Sequence, residues 1–132
     1  MSDVVVLVNE RPESRAALNW VIDHAADATV HLVLGPSTDI PGGPEYVSPS
    51  LIEEVTAQLR ESSVHHRIHC AASDPAHHTV ELAEEVNAAL VVIGMPRRSA
   101  TLKLIIGSYT RDILADAPCP VVIVKDRPAV RR

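Results

Sequence analysis

The chain has 132 residues, of which 46% are hydrophobic and 22% charged, and its formal net charge is −5. These values are typical of a single soluble globular domain. Phenylalanine is absent and aromatic residues make up only 2% of the chain, which argues against the exposed rings that bind single-stranded nucleic acid. Because the negative charge also argues against a broad contact with a phosphate backbone, we expect no nucleic-acid partner.

No apolar run approaches the roughly 20 residues that span a membrane, and the N-terminus lacks the form of a signal peptide. The two cysteines, Cys70 and Cys119, do not have the spacing of metal ligands. We therefore expect a cytoplasmic protein without a membrane partner, in which both thiols are reduced. Cys70 lies in an apolar strand pattern and is expected to be buried.

Strand-like apolar runs alternate with helix-like periodicity along the whole chain. The predicted elements, in chain order, are a strand over Asp3–Val8, a helix over Pro12–Ala26, a strand over Thr29–Leu34, a helix from Ser50, a strand over Val64–Ala71, a helix from Pro75, a strand over Leu90–Ile93, a helix after Gly107 and a strand over Val121–Val124. A Pro- and Gly-rich loop is predicted over Ser37–Ser48.

Local signals support two of the helix starts. Ser50 and Glu53 have the spacing of a capping box, and Asp74 followed by Pro75 predicts an N-cap and a first-turn proline. Five strands alternating with four helices predict an α/β fold, a three-layer doubly wound sandwich with a five-stranded, mostly parallel sheet. We expect one domain over residues 1–126 and a short basic tail over residues 127–132.

The first and fourth strands are the most apolar internal strands and are expected side by side at the centre of the sheet. In open α/β sheets, ligands bind beyond the carboxyl ends of the strands, where the strand order reverses. This arrangement places Asn9 and Gly94 at adjacent strand ends. A glycine loop that leads to a helix N-terminus favours an anion, because free backbone N–H groups and the positive end of the helix dipole meet there.

The candidate site combines a glycine at each end of this loop with basic and hydroxyl side chains. Its members are Asn9, Gly94, Arg97, Arg98, Gly107, Ser108 and Thr110. The cations of the loop, which include Lys103, predict an anionic ligand. Other interpretations stay open: a basic loop can be simply solvated, glycines serve turns, and Ser108 or Thr110 can cap the next helix.

Three segments of the chain resemble the universal stress protein family. The stretch from Gly107-Ser108 to Ala117-Pro118-Cys119-Pro120-Val121 is similar to the family's C-terminal end. Nucleotide-binding members carry the pattern G-x2-G-x9-G-[ST], and Gly94, Arg97 and Gly107-Ser108 keep that spacing. The opening Val8–Ser14 is similar to the family's V-D-G-S-x-x-S start. The chain therefore resembles a small single-domain member over nearly its whole length.

The resemblance implies a Rossmann-like fold of the adenine nucleotide alpha hydrolase type, with strand order 3-2-1-4-5. It also implies a stress-response regulator that holds ATP or another adenine nucleotide, with Mg²⁺ or Mn²⁺ bound only through the phosphates. Gly94, Gly107, Ser108 and Thr110 are then expected on the ribose and phosphate side, and Val33–Pro36 on the side of the base. A homodimer through Val121–Val124 is expected, since a bare β-branched edge strand favours pairing with a second copy.

Two positions depart from the family pattern. Arg97 replaces the second glycine, and Asn9 replaces the first-strand aspartate. Arg97 either fills the space that glycine leaves open or donates charge-assisted hydrogen bonds to a phosphate. The first hypothesis is a nucleotide-binding module without catalytic residues. The alternative is an interaction protein whose cleft is plugged by Arg97. A weak phosphohydrolase ranks third, because the loop contains no general base.

The histidines suggest no metal site. His65 and His69 are predicted to share a strand face, with His31 on the neighbouring strand. No HExxH or comparable ligand spacing is present. We therefore interpret these side chains as half-exposed strand residues and assign no metal ligand.

Overall fold

The computed structural model describes residues 2–25, 27–36, 47–71, 74–96 and 108–126. Within these ranges, strands and helices alternate as predicted. They are β1 (Asp3–Val8), α1 (Pro12–His24), β2 (Thr29–Leu34), α2 (Pro49–Glu61), β3 (His66–Cys70), α3 (Pro75–Val86), β4 (Leu90–Met95), α4 (Ser108–Asp116) and β5 (Val121–Lys125). None of the described helices is long and apolar enough to cross a membrane.

The five strands form one sheet in the order β3-β2-β1-β4-β5, and each neighbouring pair is parallel. β1 lies at the centre, where Val5 pairs with His31 of β2 on one side and with Val91 of β4 on the other. The predicted doubly wound α/β fold and its strand order are therefore confirmed.

Two apolar layers hold the helices against the sheet. Alternate residues of β1 supply both layers: Val4, Val6 and Val8 pack on the side of α1 and α2, whereas Val5 and Leu7 pack on the side of α3 and α4. Because helices cover both faces, β1 is buried without the polar alternation of a strand that faces water. This enclosed sheet is the scaffold on which the strand ends are positioned.

The starts of α2 and α3 are capped by side chains. The predicted N-cap Asp74 is confirmed, since its carboxylate accepts from a first-turn N–H of α3 at 3.1 Å. The N-cap of α2 is Ser48 and not Ser50, because the Ser48 hydroxyl accepts from Leu51 N at 3.2 Å. Pro49 explains the difference: proline suits the first helical position, so the cap lies one residue before it.

β4 is longer than predicted and includes the glycine of the candidate site. The sequence predicts a strand over Leu90–Ile93 that stops at Gly94. Pairing with β5 continues further, through Gly94 with Val124 and Met95 with Lys125. Because β5 supplies hydrogen-bonding partners for this extra stretch, Gly94 lies inside the carboxyl end of β4.

Two other predictions differ at the ends of elements. β3 covers His66–Cys70, which is shorter than the predicted Val64–Ala71, and Cys70 is exposed. The prediction that Cys70 is buried is therefore wrong, because β3 lies at the edge of the sheet, with β2 as its one neighbour among the described strands. α1 ends at His24, before the predicted end at Ala26, which lies outside the described residues.

Candidate functional site

The carboxyl ends of β1 and β4 lie side by side where the strand order reverses. The chain passes from β1 to β2 on one side of the sheet centre, and β4 lies on the other side. Open α/β sheets form their ligand crevice at such a point. Asn9 directly follows β1, and Gly94 is the penultimate residue of β4. The structure therefore brings these two candidate residues to adjacent strand ends.

A hydrogen-bonded turn connects β1 to α1. The Asn9 Oδ1 accepts from Arg11 N at 2.9 Å, and Asn9 N donates to the Ser14 Oγ at 3.0 Å. The buried Ser14 hydroxyl lies 2.8 Å from the Arg11 carbonyl oxygen, to which it donates. Asn9 thus holds the turn with its side-chain oxygen and its backbone N–H group.

Gly94 is required by packing within the protein. A Cβ at this position would lie 2.0 Å from the Glu13 carbonyl oxygen and 3.0 Å from Ser14 N. The first turn of α1 therefore crosses β4 at backbone contact, which only a residue without a side chain permits. This contact brings the start of α1 to the edge of the crevice.

Two carboxylates of the β1–α1 turn have partners within the protein. Glu13 is only 6% exposed, and its Oε2 lies 3.2 Å from the Arg11 Nε. The Glu10 Oε2 accepts from Ser48 N at 2.6 Å, which joins the turn to the start of α2. The Glu10 carboxylate therefore holds the backbone at the start of α2 beside this turn, and the Glu13 carboxylate pairs with a side chain of the turn.

Sequence reasoning did not single out Glu10, Glu13 or Ser14 as residues of the site. The signal for Ser14 was present, because it closes the Val8–Ser14 segment that is similar to the family's opening motif. The two glutamates lie in the same segment but match no defined position of that motif, and their partners are the N-cap of α2 and Arg11 of the turn itself.

The carboxyl end of β2 lies on the other side of β1. Gly35 N donates to the Val8 carbonyl oxygen at 3.2 Å. A Cβ on Gly35 would lie 2.6 Å from the Pro75 Cγ, so the first residue of α3 packs directly on this backbone. Val33–Pro36 is buried as a whole. That this segment faces the base of a nucleotide stays a prediction.

The first turn of α4 carries the hydroxyl residues of the candidate site. Ser108 is exposed and Thr110 is half-buried. Ile113 is fully buried in the layer that α4 shares with α3. The first N–H groups of a helix lack intrahelical partners and favour an anion. The remaining predicted members and the neighbouring lysine lie outside the described residues: Arg97, Arg98, Lys103 and Gly107.

The described histidines, cysteines and carboxylates form no metal centre: no group of three or more of them is placed to hold an ion. His65 precedes β3 and is exposed. The ring of His69 on β3 lies 5.7 Å from the ring of His31 on β2, measured between centroids. The prediction that His31 lies on the strand next to that of His69 is therefore confirmed, whereas the interpretation of His31 as half-exposed is wrong, because β2 is covered on both sides by neighbouring strands.

Comparison with known sequences points to one family. A model of the universal stress protein family matches residues 1–125. The chain is 28% identical over 128 residues to a universal stress protein of Mycolicibacterium smegmatis, which covers 92% of this chain and 96% of that protein. It is also 35% identical to universal stress protein MJ0531 of Methanocaldococcus jannaschii over 51 residues, which are 39% of this chain and 30% of that protein.

Solved structures share the fold. A universal stress protein from Archaeoglobus fulgidus matches with a TM-score of 0.68 and 27% identity, covering 95% of this chain and 98% of that one. A universal stress protein from Archaeoglobus fulgidus in complex with dAMP matches with a TM-score of 0.60 and 24% identity, covering 95% of this chain and 98% of that one. An Arabidopsis thaliana family member with AMP bound has a TM-score of 0.67 and 20% identity, covering 98% and 94%. The match of residues 1–125 to the family model, together with the shared fold, establishes that this chain belongs to the universal stress protein family.

Proposed function

We propose that this protein is a binding module that holds ATP or another adenine nucleotide in the crevice between β1 and β4. The observation that carries the proposal is the placement of Asn9 and Gly94 at adjacent strand ends where the strand order reverses. Two proteins of this fold have been solved with dAMP and with AMP, which supports an adenine nucleotide as the ligand class.

The adenosine side of the crevice is assigned to the ends of β1 and β2. The Asn9 oxygen is engaged in the turn, so its Nδ2 group is the donor that this side chain offers to a ligand. Val33–Pro36 is expected to meet the base through backbone groups and apolar side chains. Asn9 lacks the charge of an aspartate, so its contact with a nucleoside is an uncharged hydrogen bond.

The phosphate side is assigned to the loop and the first turn of α4. Gly107 lets the backbone approach the phosphates, Ser108 and Thr110 donate hydroxyl hydrogens, and Arg97 or Arg98 neutralises charge. The exposure of Ser108 at a helix N-terminus fits this role. Because the described carboxylates form no metal group, Mg²⁺ or Mn²⁺ would bind through the phosphates.

The alternative function is an interaction protein whose crevice is filled by Arg97. The observation that favours it is that Gly94 and Asn9 both have roles inside the protein, in the contact with Glu13 and in the bond to Arg11. Both residues are therefore needed even in a chain that binds no nucleotide. The function of such a chain would depend on its dimer surfaces and on the segment Ser37–Ser48.

We also propose that the protein forms a homodimer through Val121–Val124. These residues form most of β5, which ends the sheet and has β4 as its neighbour among the described strands. All four side chains are half-buried although the strand lies at the edge. A β-branched edge of this kind is covered by pairing with a second copy.

Calorimetric titration with ATP and Mg²⁺, and separately with AMP, tests the nucleotide proposal. If the wild-type protein binds and Arg97→Gly binds with a Kd about 10- to 100-fold weaker, Arg97 is a phosphate ligand. This range is expected because a charge-assisted hydrogen bond contributes roughly 1.5–3 kcal/mol. Arg60→Ala is the control, since Arg60 lies exposed in the last turn of α2. Binding that appears only in Arg97→Gly would support the plugged crevice. Failure of both proteins to bind would refute the nucleotide proposal.

A further inference from the structure

Three histidines converge between the sheet and α3. His31 belongs to β2, His69 to β3 and His78 to the first turn of α3. The ring centroids of His31 and His69 are 5.7 Å apart, and those of His69 and His78 are 6.2 Å apart. The three side chains, here called the histidine cluster, connect α3 to two strands and take no part in the nucleotide crevice.

Two ring nitrogens of the histidine cluster are buried without a hydrogen-bond partner among the described residues. They are the His31 Nδ1 and the His69 Nε2. The other nitrogen of His31, Nε2, lies 3.0 Å from the Asp3 Oδ1. Because a carboxylate accepts hydrogen bonds, neutral His31 carries its proton on Nε2 and keeps a bare lone pair on Nδ1. On His69, a proton at the buried Nε2 would place a charged donor in the interior without an acceptor among the described residues, which is costly.

The surroundings of His69 also favour the neutral ring. The titratable and charged groups that face His69 come from four elements. Two lie toward the centre of the sheet: His31 on β2 and, beyond it, Asp3 of β1. The others are Arg67 on β3 and His78 and Glu85 on α3. Burial, followed by His31, His78 and Arg67, lowers the pKa of His69 below 6.5, and Glu85 acts in the opposite direction. A proton added to His69 therefore meets burial and like charge together.

We assign a proton, and no metal ion, to the histidine cluster. A metal would require at least three suitably placed ligands, and the described His, Cys, Asp and Glu side chains supply no such group. A change in protonation needs only that the rings meet water at some stage. His69 and His78 are half-buried, so local separation of α3 from β3 is enough.

We propose that the contact of α3 with β2 and β3 is acid-sensitive, and that protonation of the histidine cluster separates α3 from this edge of the sheet. The direction follows from proton linkage. When α3 is separated from the sheet, His69 is solvated and its pKa is close to the ordinary value of 6.5. When α3 is in contact with the sheet, the pKa of His69 is lower. Between pH 6.5 and the lowered pKa of His69, the form in which α3 is separated from the sheet therefore binds more protons than the form in which they are in contact. The contact between α3 and the sheet loses stability as the pH falls through this range. At pH values well above 6.5, His69 is neutral whether or not α3 is in contact with the sheet.

Separation of α3 has a defined structural consequence. Pro75, the first residue of α3, packs directly on Gly35 at the end of β2. Movement of this turn would free the end of β2 and expose the apolar layer that holds Leu82 and Ala83. The acid response belongs to the chain itself and does not depend on a bound nucleotide.

Hydrogen exchange of the full chain, followed by mass spectrometry between pH 7.5 and 5.0, tests the proposal. After correction for the pH dependence of intrinsic exchange, we expect peptides of α3 to exchange roughly tenfold faster relative to α2 for each unit by which the pKa of His69 is lowered. His69→Gln removes the titrating ring and should abolish most of this acceleration. His65→Gln is the matched control, because His65 is exposed and directly precedes β3.

The proposal is overturned if α3 and α2 accelerate equally, or if His69→Gln behaves like His65→Gln. Should His69→Gln fail to fold, NMR titration of the wild-type protein decides. The expected result is that the His69 ring titrates below pH 6.5 and that the α3 amide shifts follow the same curve. A His69 ring that titrates at or above 6.5, or α3 amides that do not follow it, would overturn the proposal.

Discussion

The backbone of Gly94 in β4 and the carbonyl group of Glu13 in α1 are in direct contact, at a distance that leaves no room for a side chain. A Cβ on Gly94 would lie 2.0 Å from the Glu13 carbonyl oxygen and 2.5 Å from its carbon. Both neighbouring atoms belong to the backbone of a helix, so they cannot rotate away. The fold therefore needs a glycine at this position before any ligand is considered.

Gly94→Ala should destabilise the protein in the absence of nucleotide. Overpacking of this kind costs about 1–3 kcal/mol in the free energy of unfolding, because α1 must shift away from β4. Urea denaturation followed by circular dichroism measures the change. Ser108→Ala is the control, and we expect it to remain within about 0.5 kcal/mol of the wild type, since Ser108 is exposed. A Gly94→Ala protein as stable as the wild type would contradict the packing role.

Asn9 should contribute to stability through its side-chain oxygen. Asn9→Ala removes the acceptor for Arg11 N and should lower the free energy of unfolding by about 0.5–1.5 kcal/mol. Asn9→Asp keeps an acceptor at the same position and should unfold at nearly the wild-type urea concentration at pH 7. Equal losses in the two variants would show that the turn does not depend on this hydrogen bond.

The two cysteines should differ in reactivity. Cys70 is exposed, whereas Cys119 is half-buried and its burial raises the pKa of its thiol above 9.0. The reactive thiolate of Cys119 is therefore scarce at pH 8, and we expect Cys70 to react at least about tenfold faster with a disulfide reagent. The rates of Cys70→Ser and Cys119→Ser, each with one remaining thiol, measure the two sites separately. A faster reaction in Cys70→Ser than in Cys119→Ser would reverse the assignment.

The homodimer should be visible in solution. Sedimentation of the wild-type chain should give about twice the monomer mass of 14.2 kDa. Ile123→Lys places a charge in β5 and should shift the mass toward that of the monomer, because lysine on an edge strand disfavours pairing. Leu114→Lys in α4 is the control, since Leu114 is already 44% exposed. Circular dichroism must show that both variants stay folded, and a monomeric wild type would refute this interface.

Much of the fold follows from hydropathy alone. The apolar runs of the first and fourth strands predict their central pairing, because only a strand covered on both faces can remain apolar throughout. Asp74 was assigned correctly as an N-cap from its position before Pro75. The spacing of Ser50 and Glu53 predicts the wrong cap for α2, because it satisfies the capping rule while Pro49 at the first helical position places the cap at Ser48.

The site was less predictable than the fold. Sequence spacing marked Gly94 as a residue for ligand approach, but the Glu13 carbonyl that requires it lies in another element. The burial of Cys70 was predicted from its apolar neighbours, yet β3 lies at an edge, which depends on strand order and not on local pattern. Contacts between elements therefore decided the points at which local patterns were misleading.

Both ends of the segment over residues 37–46 are attached to the same place in the protein. Before it, Gly35 N is bonded to the Val8 carbonyl oxygen at 3.2 Å, and after it, Ser48 N is bonded to the Glu10 carboxylate at 2.6 Å. Both attachment points belong to the end of β1 and the residues that follow it. The segment can therefore be lengthened, shortened or exchanged at little cost to the sheet, because loop closure depends only weakly on length. For protein engineering, a new recognition sequence inserted between Gly35 and Ser48 would leave both of these bonds in place.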